Sequence, residues 1–105
     1  SSAAVRGKKL FSDKTVGCAN CHSGALYTDQ DPYDVGTAGK FDQPTDSFDT
    51  PSLVEAWRSG PYMHDGRATT MRDVLTTFQH EDKHGVTSHL TPKQIDDLAE
   101  YVLSL

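Results

Sequence analysis

The pentapeptide Cys18-Ala19-Asn20-Cys21-His22 holds the only two cysteines of the chain and sets a histidine directly after the second. On one helical turn, residues three apart share a face, so both thiols can form thioethers with the two vinyl groups of a single haem. His22 then falls beneath the iron, its imidazole free to act as the proximal ligand. C-x-x-C-H is the spacing of c-type haem attachment. Two other chemistries compete for it. A thioredoxin-like dithiol wants a βαβ setting, which the flanking sequence lacks. A zinc site needs a fourth ligand beside three crowded into five residues. One covalent haem c per chain is the expectation.

The rest of the composition is consistent with a cofactor-filled core. The chain has 105 residues, of which only 35% are hydrophobic, and its mean hydropathy is −0.58. That length allows one small domain over residues 1–105, either a free protein or a module of a larger one. A domain so small and so polar needs something besides side chains in its interior. Fifteen acidic residues against ten basic ones leave a net charge of −5, which argues against a nucleic-acid partner. No apolar run approaches the roughly 18–20 residues of a membrane span. The chain opens at Ser1 without methionine or an apolar leader, so a signal peptide is expected to have been removed or never to have belonged to it.

Moving outward from the motif, Ala3–Phe11 reads as a short amphipathic helix carrying Val5, Leu10 and Phe11, with Ser2 as its N-cap. Residues 23–50 show no helical period and are rich in Asp, Gly, Pro and Thr, a long loop that wrapping around a haem edge would tie down. Thr50-Pro51 reads as an N-cap with proline at the first helical position, opening a short helix with Leu53 and Trp57 on one face. Gly60-Pro61 ends it. A third helix starts near Thr70, with Asp73 three residues on as a relative of the capping box and Met71, Val74, Leu75 and Phe78 as its apolar stripe. The last helix has the clearest signal. Thr91 caps it, Pro92 opens it, Gln94 completes the box, and Ile95, Leu98, Val102 and Leu105 line one side. The architecture expected is all-α, four to five short helices joined by long loops around one covalent haem.

Gly7-x-x-x-Phe11 ahead of the haem motif and Leu98-x-x-Tyr101 in the last helix resemble the class I c-type cytochromes. The resemblance implies that Gly7 lets the terminal helices approach closely, with Phe11 and Tyr101 packed where they cross. A narrower resemblance runs from Asp34 to Leu105. Asp34-Val35-Gly36-Thr37, Phe48-Asp49-Thr50-Pro51-Ser52-Leu53, Pro61-Tyr62-Met63-His64-Asp65-Gly66-Arg67 and Thr70-Met71 are similar to the C-terminal haem domain of bacterial di-haem cytochrome c peroxidases. Their relatives include the tryptophan-tryptophylquinone maturation enzyme and the di-haem thiol-oxidoreductase-like proteins. In that family the strand usually reads Phe-Lys-x-Pro-x-Leu-Arg-Asn, whereas Asp49 stands here for the Lys and Val54 for the Arg. These residues also carry one C-x-x-C-H where the enzymes have two. The resemblance therefore implies the electron-accepting half, without the peroxidatic haem.

The sixth iron ligand has several candidates: Met63, His64, Met71, His80, His84 and His89. Met71 sits on an apolar stripe and reads as core. Met63 reads as packing beside the haem and His64 as a supporting residue in the same loop. The position at which the peroxidase relatives ligate lands on Phe78, which cannot bind iron. His84-Gly85 matches the ligand-glycine pair of those relatives once the loop is given a short insertion, and it lies seven residues before the cap Thr91. His84 is thus the expected distal ligand and Met63 its alternative, while His80 and His89 read as surface residues. Arg67 and Arg58 are candidates for pairing with haem propionates, and Trp57 and Tyr62 for packing on the haem or bonding a propionate. Asp29, Asp31 and Asp34 lack a calcium-loop pattern and read as a solvated loop.

The function expected is a monohaem c-type cytochrome performing one-electron transfer through a six-coordinate iron, a carrier and not an enzyme. The alternative is the haem domain of a peroxidase-like enzyme reducing hydrogen peroxide. Partners would be redox proteins with a positive docking patch, or another haem domain. Covalent haem attachment takes place outside the cytoplasm, so a periplasmic or extracellular bacterial location follows.

Overall fold

The computed structural model describes residues 1–105. Its frame is two capped helices. In α1 (Ser2–Ser12) the cap is Ser1, one residue earlier than expected, whose Oγ accepts from the Ala4 N–H at 3.2 Å. In α4 (Pro92–Leu103) Thr91 Oγ1 accepts from Gln94 N–H and Gln94 Oε1 accepts from Thr91 N–H, the reciprocal box the sequence announces. The crossing of these helices is the most extensive contact between elements. Gly7 makes it possible: a Cβ there would sit 2.0 Å from the Asp97 carbonyl oxygen. The aromatic rings of Phe11 and Tyr101 meet edge to face, with centroids 5.2 Å apart. Arg6 clamps the outside of the crossing through two hydrogen bonds, 2.8 and 2.9 Å, to the buried Asp97 carboxylate. Val5 does not share the inward face and is 61% exposed. Two residues before Gly7 is about 200° around the helix, the far side.

Between the terminal helices lie two shorter ones. Helix α2 (Cys18–Cys21) is the motif turn, and α3 (Met71–Leu75) buries Met71, Val74 and Leu75 with Thr70 as N-cap. The α3 stripe was expected to reach Phe78 as helix. It stops at Leu75 because Thr76 turns its hydroxyl back onto the Arg72 carbonyl at 2.8 Å, a side-chain bond that competes with helix continuation. Phe78 still packs against the core. The expected helix after Thr50 is absent. The Thr50 N–H and hydroxyl both donate to the Asp31 carbonyl, at 3.0 and 3.1 Å, so Thr50 extends a short ladder instead of capping a helix. That ladder pairs β1 (Pro32–Tyr33) antiparallel with β2 (Phe48–Asp49) and, with an isolated antiparallel bridge between Tyr62 and Ala68, departs from an otherwise helix-and-loop chain. A single 3₁₀ turn at Ala56–Arg58 follows, entered through Glu55 in the left-handed region. It buries Ala56 and leaves Trp57 60% exposed.

No helix is long and apolar enough to cross a membrane. The loop from Ser23 to Thr50 holds six aspartates and one lysine, a balance of −5 that equals the net charge of the whole chain.

Candidate functional site

Both terminal helices, α3 and the long loop wall one apolar cleft of about 370 Å³, within the size range of cofactor sites. Phe11, Leu98 and Val102 line it from the terminal helices, Met71, Val74 and Leu75 from α3, and Tyr33, Val35 and Phe48 from the long loop. Cys18, Cys21 and His22 enter it from the motif turn. Gly17, left-handed at φ 84°, leads into that turn, and the His22 N–H closes it onto the Cys18 carbonyl at 3.0 Å. Burial pushes the Cys18 thiol up to about 11 and raises Cys21 as well. Zinc or dithiol chemistry requires the thiolate; these surroundings favour uncharged sulfur, as in a thioether. Nor do the two cysteines and His22 gather with a further ligand around one point as a metal cluster would.

His22 is oriented from behind: its Nδ1–H donates to the Tyr27 carbonyl at 3.0 Å, which leaves Nε2 as the free nitrogen. Burial lowers its basicity, opposed by the carbonyls of Tyr27 and Pro51. Facing it is His84, with ring centroids 6.4 Å apart. Burial, and secondarily the proximity of His22, push the His84 imidazole down to about 4, so it is neutral at physiological pH. Its Nδ1 is sealed from solvent and has no hydrogen-bond partner. A buried polar atom left unpaired in this way is rare in a folded protein and asks for an explanation. An apolar cleft, two thiols on one wall and a neutral imidazole opposite the motif histidine fit a covalent haem.

The segment bearing His84 is held against the motif. Gly85 is left-handed, and a Cβ there would meet the Val16 carbonyl at 3.1 Å; the next residue, Val86, donates its N–H to that carbonyl at 2.8 Å. The Gln79 side chain grips the His84 peptide on both edges, accepting from its N–H at 2.9 Å and donating to its carbonyl. Sequence reasoning passed over Gln79, since an amide five residues upstream carries no pattern.

The other residues singled out by sequence divide. Met63 and Tyr62 line the cleft, Met63 with a left-handed backbone (φ 73°) and Tyr62 with its hydroxyl donating to the Ala56 carbonyl at 2.9 Å. His64 lies at the mouth, stacked on Phe48 at 3.7 Å and bonded through Nε2 to Asp42 at 2.8 Å. Arg67 is not among the lining residues. Its guanidinium binds Asp65 and the Thr37 carbonyl, at 2.7 and 2.6 Å, and pins the long loop. Trp57 and Arg58 also stand outside the cleft, Arg58 paired with Glu55 on the surface. His80 is exposed beside Glu81, and His89 is exposed too.

Comparison with known proteins places this geometry. A model of the family described as cytochrome c matches residues 4–105. The chain is 34% identical to hydrazine synthase subunit gamma of Kuenenia stuttgartiensis over 98% of its own length and 41% of that protein's. It is 40% identical to the methylamine utilization protein MauG of Methylorubrum extorquens over 71% of this chain and 24% of the relative. With the cytochrome-c peroxidase IdrP1 of a Pseudomonas species it shares 28% identity over 78% of its length, against 32% of that protein's. A solved structure of Kuenenia stuttgartiensis hydrazine synthase, obtained under xenon pressure, superposes on the whole chain with a TM-score of 0.90 and 32% identity, matching 46% of its own chain. The chain therefore spans less than half the length of these relatives. Their names overturn one expectation from sequence: a synthase and a peroxidase are enzymes, so a purely non-enzymatic carrier is the wrong setting for this domain. The lone haem motif within these residues, read as the mark of a simple carrier, does not separate a carrier from one domain of an enzyme. The all-α fold with its terminal-helix crossing, the C-x-x-C-H turn and the family match lead to one conclusion: this chain belongs to the cytochrome c family, resembles the di-haem peroxidase group within it, and binds haem c covalently for electron transfer.

Proposed function

We propose that this domain is the six-coordinate, electron-relaying haem domain of a peroxidase-like oxidoreductase, with His22 and His84 as its axial ligands. One observation carries the reading: the 6.4 Å between the two ring centroids. An imidazole–metal bond of about 2 Å on each side, plus half a ring at each end, spans about 6 Å. The buried, unpartnered His84 Nδ1 supports the same reading. Haem, when bound, supplies a one-electron ferric/ferrous couple. The protein's residues do the rest. Cys18 and Cys21 would hold the cofactor through their sulfurs, and Phe11, Leu98 and Val102 line the cleft with apolar surface that excludes water. Burial keeps both imidazoles neutral, the Tyr27 carbonyl orients the His22 ring, and the Gln79 amide holds the His84 peptide in place. Tyr62 and Met63 close the remaining wall.

The enzymes named among the relatives support placing this domain beside a second haem domain or a redox partner that carries the bond-making chemistry. The haem attachment supports a periplasmic or extracellular location. Electron paramagnetic resonance and near-infrared magnetic circular dichroism of the ferric protein test the ligand pair. Two imidazoles give a low-spin signal without the methionine charge-transfer band, and His84→Ala keeps the haem but admits carbon monoxide at the sixth position. A methionine band that vanishes in Met63→Ala and survives in His84→Ala would transfer the role to Met63. A high-spin parent that reacts with peroxide would make this an open catalytic site instead.

A further inference from the structure

Behind His22, on the side away from the cleft, two tyrosines from distant parts of the chain join their phenols. The Tyr27 and Tyr101 hydroxyl oxygens are 3.2 Å apart. Tyr27 lies in the loop just after the motif, and Tyr101 on α4 at the helix crossing. Phe11 of α1 packs edge to face on both, at 6.0 and 5.2 Å, and its ring lies 6.5 Å from that of His22. The Tyr27 backbone is left-handed, at φ 54°. Such a conformation is uncommon for any non-glycine residue and costly for a bulky one, so it persists only where the surroundings impose it. The imposed turn aims one group: the Tyr27 carbonyl, which accepts the His22 Nδ1 proton at 3.0 Å.

We propose that Tyr27 and Tyr101 are positioning residues for His22, a phenol pair that transmits the packing of the terminal helices to the electron density of the proximal ligand. The inference rests on His22 as an iron ligand. A carbonyl that accepts the ring N–H makes a ligating imidazole more electron-donating and fixes its orientation. An electron-rich imidazole stabilises ferric iron over ferrous, so the pair holds the midpoint potential down. Without the phenol–phenol bond, the Tyr27 backbone relaxes from its left-handed turn, the carbonyl drifts from Nδ1, and the potential rises. The Pro51 carbonyl also faces the ring, and it is the rival acceptor against which the proposal is tested.

Tyr27→Phe and Tyr101→Phe each delete one hydroxyl and keep the ring, so the contacts with Phe11 survive and the holoprotein folds. Potentiometric titration of both variants, and of the double variant, reads the effect. The expected result is an upward shift of the midpoint in each single variant with an unchanged low-spin spectrum, and a double variant no higher than the larger single, because both substitutions remove the same bond. Ile95→Val loosens the packing of the same helix nearer its start, leaving both phenols intact, and is expected to lower thermal stability without moving the potential. Unmoved midpoints in both tyrosine variants, or a shift in Ile95→Val as large as theirs, would overturn the proposal and leave Pro51 as the acceptor. A His22→Gly holoprotein separates the two levels of inference. If its spectrum matches that of the parent, His22 is not the ligand and the premise fails. If its spectrum changes while the tyrosine variants keep the parent's midpoint, the phenol pair alone is refuted.

Discussion

The crossing of α1 with α4 and the loop from Ser23 to Thr50 wall the same cleft, yet they are built from different interactions. The crossing buries Phe11, Leu98, Tyr101 and Val102 around a glycine whose place a Cβ could take only by pushing the helices apart. In the loop Thr37 alone is buried. Its order comes from aspartates turning back on the backbone, such as Asp29 on Asp31 N–H at 2.9 Å and Asp34 on Gly36 N–H at 3.0 Å. It comes also from a two-residue ladder and from side-chain anchors, among them Arg67 on the Thr37 carbonyl. Apolar packing sums over many contacts and resists single changes poorly when a large ring is lost. A web of partly exposed hydrogen bonds loses about 1 kcal/mol at a time. The helices should therefore carry stability and the loop should carry access to the cleft.

The contrast can be broken first at its strongest point. Phe11→Ala is expected to destabilise the holoprotein by about 3–5 kcal/mol, and Tyr101→Ala similarly, the usual cost of emptying a large aromatic site. Melting within a degree or two of the parent in both would disprove the role of the crossing. Gly7→Ala, which forces a Cβ against the Asp97 carbonyl, is expected to cost about 3 kcal/mol or more by overpacking; denaturant unfolding measures it. Gln79→Ala probes the boundary between the two kinds of structure, because a polar loop residue here holds a cleft wall. Losing its two bonds to the His84 peptide is expected to cost about 1–3 kcal/mol and to speed carbon monoxide binding to the ferrous protein.

Acid sharpens the comparison further. Arg6 holds the Asp97 carboxyl below the usual carboxylate range. A depressed folded value gives stability that is present above the unfolded value, about 3.9, and is lost as pH falls through the folded one. Thermal melts of the parent should therefore drop below about pH 4 more steeply than those of Asp97→Asn, which lacks that linkage. Equal slopes would show that the clamp contributes nothing. The smallest effect belongs to the loop. Phe41 is 91% exposed, and Phe41→Ser should leave the unfolding free energy within about 0.5 kcal/mol of the parent's.

Local signals were legible wherever one residue type settles a local question. The cysteine spacing fixed the motif turn and Thr91 and Gln94 fixed the start of α4, while the crossing followed from the resemblance of Gly7-x-x-x-Phe11 and Leu98-x-x-Tyr101 to the class I c-type cytochromes. Reading failed where the same residue has two possible partners. Thr50 carries a cap signal, but its donors are taken by Asp31, nineteen positions away. Trp57 has the apolar character of a lining residue, yet the left-handed step at Glu55 turns it outward and buries Ala56 instead. Arg67 has the charge for a propionate, but Asp65 and the Thr37 carbonyl reach it first. Among site residues, the position of His84 in the chain hinted at the cleft, whereas the supports behind the two histidines, Gln79 and Tyr27, left no trace in spacing or composition.

The acidic loop has a kinetic consequence. Because the entire net charge of −5 lies between Ser23 and Thr50, and that segment borders the cleft, the molecule's negative field is centred on one side. Near a cationic surface such a body experiences a torque as well as an attraction, and turns its cleft side forward before contact. Encounters would then be oriented during diffusion, and their rate would fall as added salt shortens the Debye length below about 10 Å.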